Sequence, residues 1–108
     1  KGYNAHMPSN DHGVITPTAA LSSYPYTPEE SSKALKHFYF NLGDSIWGKY
    51  GFYDAFSEGE NWYPRRYLAI DQCTITPMIE NYRTNLLWNL FMSHPDVQKG
   101  IQKIQSIK

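Results

Sequence analysis

Asp71 is the one carboxylate that this chain sets into an otherwise apolar approach, directly after Leu68, Ala69 and Ile70 and at the expected start of a helix. Exposed N–H groups at such a start favour a negative charge, so a carboxylate there can cap the helix or be held ready for proton transfer. Both readings stand on the residues alone, and capping aspartates far outnumber catalytic ones. On helical spacing, positions 71, 74, 75, 78 and 82 share one face, whereas Glu80 falls about 180° round from Asp71. The two acids therefore cannot serve one pocket. Arg83, three residues beyond Glu80, offers it a local ion pair, and Pro77 predicts a kink or a late helix start.

A second group of polar side chains sits in the first stretch, KGYNAHMPSNDHGV, which has no periodicity and reads as an irregular loop. Tyr3, Asn4, His6, Asp11 and His12 are either an exposed, turn-rich terminus or the lining of a polar pocket. The spacing of the two histidines is not that of helical metal ligands. The single Cys73 excludes an internal disulfide, offers no Cys/His cluster, and is expected to be a small buried apolar residue. Nothing in the sequence implies a cofactor.

The elements that must position these residues are helical. Composition is that of one folded domain: 108 residues, 41% hydrophobic, 19% charged and an unusually high 16% aromatic. Formal net charge is zero with basic residues scattered, which argues against nucleic acid or an anionic membrane as partner. The longest apolar run, Leu86 to Met92, is broken by Asn89 and is too short to span a bilayer. Lys1, Gly2 and Tyr3 show neither an initiator Met nor a signal-peptide pattern, so a cut-out or processed piece is expected.

In chain order, a short helix is expected from about Thr16 or Pro17 to Ser22 or Ser23. Thr27-Pro28-Glu29-Glu30 carries a capping-box signal, and the helix it opens should run from Pro28 to about Leu42, with Gly43 as its stop. A brief turn over Ser45 to Trp47 leads into GKYGFYDAFSEGENWYPRR, a long irregular segment whose aromatics seek burial or a ligand. After the Asp71 helix, Asn85 to Ser93 should bury Leu86, Leu87, Leu90 and Phe91, and a last amphipathic helix spans Asp96 to Ile107.

The pieces PTAALSSYPYTPEE (17–30), ALKHFYFNLGDSIWGKYGFYDAF (34–56), AIDQCTITPMIENYR (69–83) and LLWNLFMSHPDVQKGI (86–101) together resemble the C-terminal segment of the bacterial glucoamylase-like proteins. That family includes glycoside hydrolase family 144 and relatives acting on β-1,2-glucans. The resemblance implies an all-α fold: part of an (α/α)6 toroid, with four to five helices and long functional loops. A double ring of helices needs on the order of 250 residues or more, so residues 1–108 would be the C-terminal part of a catalytic domain whose remainder is upstream or in another chain.

The resemblance also assigns roles. Asp71 in AIDQ matches a family acid near the site of sugar cleavage. An inverting glycosidase needs a second carboxyl roughly 6.5 to 9.5 Å away; Asp54 and Asp11 are candidates here, and a Glu or Asp upstream of Lys1 is the preferred one. Trp62 and Tyr63 would suit sugar stacking, and Tyr3, Asn4 and Arg65 contacts to sugar hydroxyls. Cys73 stands where the family commonly carries Gly, which bears on substrate rather than fold. The implied partner is a glucan oligosaccharide or polysaccharide, and the implied location periplasmic or secreted. Two other classes stay open: a non-catalytic helical carbohydrate-binding or interaction domain, and a polysaccharide lyase with Tyr3 or His12 as base.

Overall fold

The computed structural model describes residues 6–107 and is mostly helical, with one small hairpin. Among the described residues the α-helices are α1 (Pro17–Leu21), α2 (Pro28–Lys36), α3 (Gly43–Ile46), α4 (Ala69–Thr84), α5 (Leu86–Ser93) and α6 (Pro95–Gln105). That is six where four to five were expected, because the brief turn expected over Ser45 to Trp47 is a single-turn helix, α3, that starts at Gly43. Strands β1 (Trp47–Gly48) and β2 (Gly51–Phe52) pair antiparallel, Trp47 opposite Phe52. Gly51 sits at φ +100°, a conformation in which a side chain would be strained.

The core is small and aromatic. Leu21, Phe38, Ile46, Phe52 and Phe56 are buried together, with Phe38 edge-on to Phe52 and Phe56 at ring separations of 6.0 and 5.5 Å. Each such ring contributes about 1.5–3 kcal/mol by burial, and edge-on pairing adds about 0.5–1.5 kcal/mol. Two of the five come from the long segment after β1, which the sequence marks as irregular. It is irregular but packed: Phe56 exchanges backbone hydrogen bonds with Ile15 (2.8 and 2.9 Å), and Ser57 does so with Trp62 (both 2.9 Å) around a tight turn.

Several local expectations are corrected. α2 begins at Pro28 as read, but Thr27 makes no side-chain cap; its hydroxyl bonds the Ser23 carbonyl (3.3 Å) and Ser31 Oγ (3.2 Å), tying the preceding turn to the helix instead. The helix then widens into a π-turn over His37–Asn41, and Gly43 is not its stop but the first residue of α3. α4 starts early and runs through Pro77, which forgoes only its own N–H bond. The pairing of Arg83 with Glu80 is present at 3.1 Å. Cys73 is exposed rather than buried.

Asn81 joins α4 to α5. It is buried, and its Oδ1 accepts from the N–H groups of Leu87 and Trp88, each at 3.0 Å, so it caps α5 from one helix away. Asn85, at φ 57°, makes the sharp left-handed corner between the helices. Beyond that corner the expected burial fails: Leu90, Phe91 and Ile104 are 60%, 65% and 71% exposed. α5 packs on α4 and α6 on α5, with no third layer. The radius of gyration is 17.4 Å, against about 13 Å for a compact domain of this length. The apolar faces of α5 and α6 thus lack cover among the described residues.

Candidate active site

Asp71 is the third residue of α4, not its cap, which is Leu68. It is half-buried, and its first-turn position sets the carboxylate near the positive end of the helix dipole. Its backbone carbonyl accepts from Thr18 Oγ1 (2.9 Å) and Thr74 Oγ1 (3.0 Å). Thr74 Oγ1 in turn meets Thr18 Oγ1 and Ser22 Oγ, both at 2.9 Å. This hydroxyl net between α1 and α4 fixes the helix turn that carries Asp71.

Asp54 comes to Asp71 from the aromatic segment, and the two carboxyls are hydrogen-bonded. Burial, then the hydrogen bond and the negative charge of Asp71, push the Asp54 carboxyl up to about 6, against a partial offset from the Arg66 guanidinium. Two carboxylates in contact cannot both stay ionised cheaply, so the pair retains one proton in mildly acidic solution. The Asp54 backbone is anchored beside it: its N–H donates to the Arg66 carbonyl at 2.8 Å. Two residues earlier, the Phe52 carbonyl accepts from Gln72 Nε2 at 2.5 Å. Gln72 follows Asp71 in α4, so both acids are referenced to the same helix turn.

The other sequence candidates distribute unevenly. Tyr3 and Asn4 lie outside the described residues. Asp11 is exposed and turns its carboxylate onto the N–H of Gly13 (2.8 Å), a local turn. Tyr63 is half-buried with its ring parallel to Phe56 (6.3 Å, 11°), so one face is engaged by the core. Trp62 is half-buried and Arg65 exposed, on the segment that links Asp54 to α4. Sequence reasoning missed Arg66, the cation that faces Asp54, and Gln72, the tie to Phe52. Their adjacency to Arg65 and Asp71 was the available signal.

An open cleft of about 370 Å³ lies between α1, the hairpin and α4, lined by Leu21, Leu35, Trp47, Tyr50, Phe52 and Ile75 among others. Neither acid lines it. Its walls are largely apolar, and the Asp54–Asp71 pair lies outside it.

Comparison with known proteins turns this geometry into a family assignment. Residues 1–95 match the Glycoamylase family model, described as a glucoamylase. The chain belongs to the Glycoamylase family. It is 62% identical over 102 residues to an exo β-1,2-glucooligosaccharide sophorohydrolase (non-reducing end) of Parabacteroides distasonis, covering 94% of this chain and 14% of that protein. Among solved structures it is similar to an endo-β-1,2-glucanase from Chitinophaga pinensis in complex with sophorotriose and glucose, with TM-score 0.90 and 63% identity, covering 94% of this chain and 25% of that one. It is equally similar to a β-1,2-glucanase from Parabacteroides distasonis, with TM-score 0.89 and 61% identity, over 93% of this chain and 14% of that one. The Glycoamylase chain described here therefore spans about a seventh to a quarter of these relatives. Among the described residues no helix is long and apolar enough to cross a membrane.

Proposed function

We propose that this chain is the C-terminal part of an (α/α)6 glycoside hydrolase domain that cleaves glucosidic bonds in β-1,2-glucan or its oligosaccharides by an inverting acid/base mechanism. Family membership and the activities named for the relatives support the substrate class. The single observation that carries the catalytic reading is the hydrogen-bonded Asp54–Asp71 pair, with the Asp54 carboxyl raised to about 6. A merely structural helix-start aspartate has no need of a protonated partner.

Asp71, in the first turn of α4, is the base. It takes a proton from the water whose oxygen attacks the anomeric carbon from the face opposite the leaving sugar. Asp54, protonated, donates to one Asp71 oxygen and leaves the other aimed at that water; it is a positioning residue. The two carboxyls are in contact and so cannot straddle a water molecule, which requires a separation of roughly 6.5 to 9.5 Å. Asp54 is therefore not the acid that protonates the departing glycosidic oxygen, and the preferred acid for that step is a Glu or Asp upstream of Lys1. Trp62 and Arg65 lie on the connecting segment and would contact the glucan. A periplasmic or secreted location goes with this reading, as does covering of α5 and α6 by the remaining helices of the domain.

The test is sugar release from β-1,2-glucan and its oligosaccharides by the intact protein and by Asp71→Asn and Asp54→Asn. Loss in the first and partial retention in the second are expected. Near wild-type turnover by Asp71→Asn would remove it from the mechanism.

A further inference from the structure

Two tyrosines that the chemistry itself does not use lie beside Asp54 and Asp71 in the chain. Tyr53 immediately precedes Asp54, and Tyr67 lies at the entry to the helix that carries Asp71. Their rings meet at 5.1 Å, flanking the backbone bond from Asp54 N–H to the Arg66 carbonyl. Tyr67 also packs edge-on against Tyr50 at 5.4 Å and accepts the Tyr50 N–H at its hydroxyl, 3.2 Å away. On the other side, the Tyr53 N–H donates to the Ile46 carbonyl at 2.8 Å.

Both tyrosine hydroxyls close over Gly48 at the end of β1. A Cβ there would collide with the two hydroxyls and meet Tyr53 Cζ at 2.8 Å. Gly48 is not in the left-handed region that favours glycine, so space and not backbone conformation demands glycine here. The absence of a side chain at Gly48 is what allows the two rings to lie against the hairpin and against each other.

We propose that Tyr53 and Tyr67, closed over Gly48, form a positioning clamp that sets the spacing of the Asp54 and Asp71 carboxyls. This rests on the catalytic reading of that pair. The clamp joins the loop bearing one acid to the irregular segment that leads into the helix bearing the other, within one residue of Asp54 and four of Asp71. The charged groups facing Asp54 are Asp71 from α4 and Arg66 from the segment that leads into α4, and Tyr53 and Tyr67 pack ring to ring beside it in the chain. Opening the clamp separates Asp54 from Asp71 and admits water, and both changes lower the Asp54 pKa.

The experiment compares the intact protein with Gly48→Ala, Tyr67→Phe and, as control, Gly59→Ala, whose added methyl meets nothing within 4 Å. For Gly48→Ala, kcat on β-1,2-glucan is expected to fall on the order of tenfold to a hundredfold with KM within about twofold. The alkaline limb of its pH–rate profile should move to lower pH. Tyr67→Phe, which keeps the ring and loses the hydroxyl that accepts the Tyr50 N–H, should move the limb the same way by a smaller amount, and Gly59→Ala should match the wild type. A folded Gly48→Ala with wild-type kcat and wild-type limb overturns the clamp, as does a fall in kcat that only tracks the unfolded fraction. If Gly48→Ala does not fold, an unshifted limb in Tyr67→Phe overturns it. Asp71→Asn run in parallel separates the two levels: full activity there defeats the catalytic reading, whereas an inactive Asp71→Asn beside an unshifted Gly48→Ala defeats the clamp alone.

Discussion

Asp54 and Asp71 meet carboxyl to carboxyl, one delivered by an aromatic loop and the other by the first turn of α4. The contact makes them a single titrating unit whose proton sits, below about pH 6, on the Asp54 side. The proposed chemistry follows from that contact: Asp71 sits at a helix start, and Asp54 is held protonated by burial and by its neighbour.

Asp54→Asn keeps a hydrogen-bond donor toward Asp71 but cannot lose a proton. The wild-type kcat/KM should decline as pH rises through about 6, where Asp54 ionises, and Asp54→Asn should retain partial activity with that decline abolished. A pH–rate profile from 4 to 9 for both proteins is the measurement. An unchanged alkaline limb in the variant would contradict the assigned role.

The same substitution bears on stability with an opposite sign. The folded Asp54 carboxyl binds its proton more tightly than the unfolded one, at about 6 against 3.8, so its contribution to folding is present below 3.8 and is lost as pH rises through about 6. Asp54→Asn should therefore unfold at higher urea than wild type at pH 7 and show no such advantage at pH 3.5. Equilibrium unfolding at the two values of pH checks this.

Part of this arrangement was legible in the residues and part was not. The start of α2 at Pro28 and the Glu80–Arg83 pair follow from local rules, and the structure has them. Asp54 could be named as a candidate, but its meeting with Asp71 depends on a loop folding back through Phe52, Phe56 and the Tyr53–Tyr67 contact, none of it periodic. The capping box failed because Thr27's hydroxyl is taken up by Ser23 and Ser31, a choice set by the neighbouring turn. The apolar stripe of α5 was read correctly as apolar and lies exposed among the described residues, since the pattern reports what a face prefers and not whether a partner is at hand.

Asn81 offers a structural prediction independent of catalysis. Asn81→Ala removes the acceptor for the Leu87 and Trp88 amides and should lower stability by about 1–3 kcal/mol, speeding hydrogen exchange at those two amides. The pH–rate profile should be unmoved.

Leu90 tests whether α5 is covered in the full domain. Leu90→Ala should destabilise the intact protein by about 2–5 kcal/mol, the range for a buried leucine, and residues 1–108 alone by under about 0.5 kcal/mol. Equal small effects in both would mean that the face stays open.

Trp62 and Tyr63 should separate binding from packing. Trp62→Ala is expected to raise KM a few-fold to about tenfold with stability little changed. Tyr63→Ala, losing its stack on Phe56, should lower the unfolding midpoint more than it alters KM.

The most direct measurement is turnover of β-1,2-glucan oligosaccharides by the intact protein and its Asp71→Asn variant, with the anomeric form of the first product followed by NMR. The expected result is α-anomer released first by the wild type and a loss on the order of 10³-fold in Asp71→Asn. Release of the β-anomer would contradict inversion, and near wild-type turnover by Asp71→Asn would contradict the assignment of Asp71 as the base.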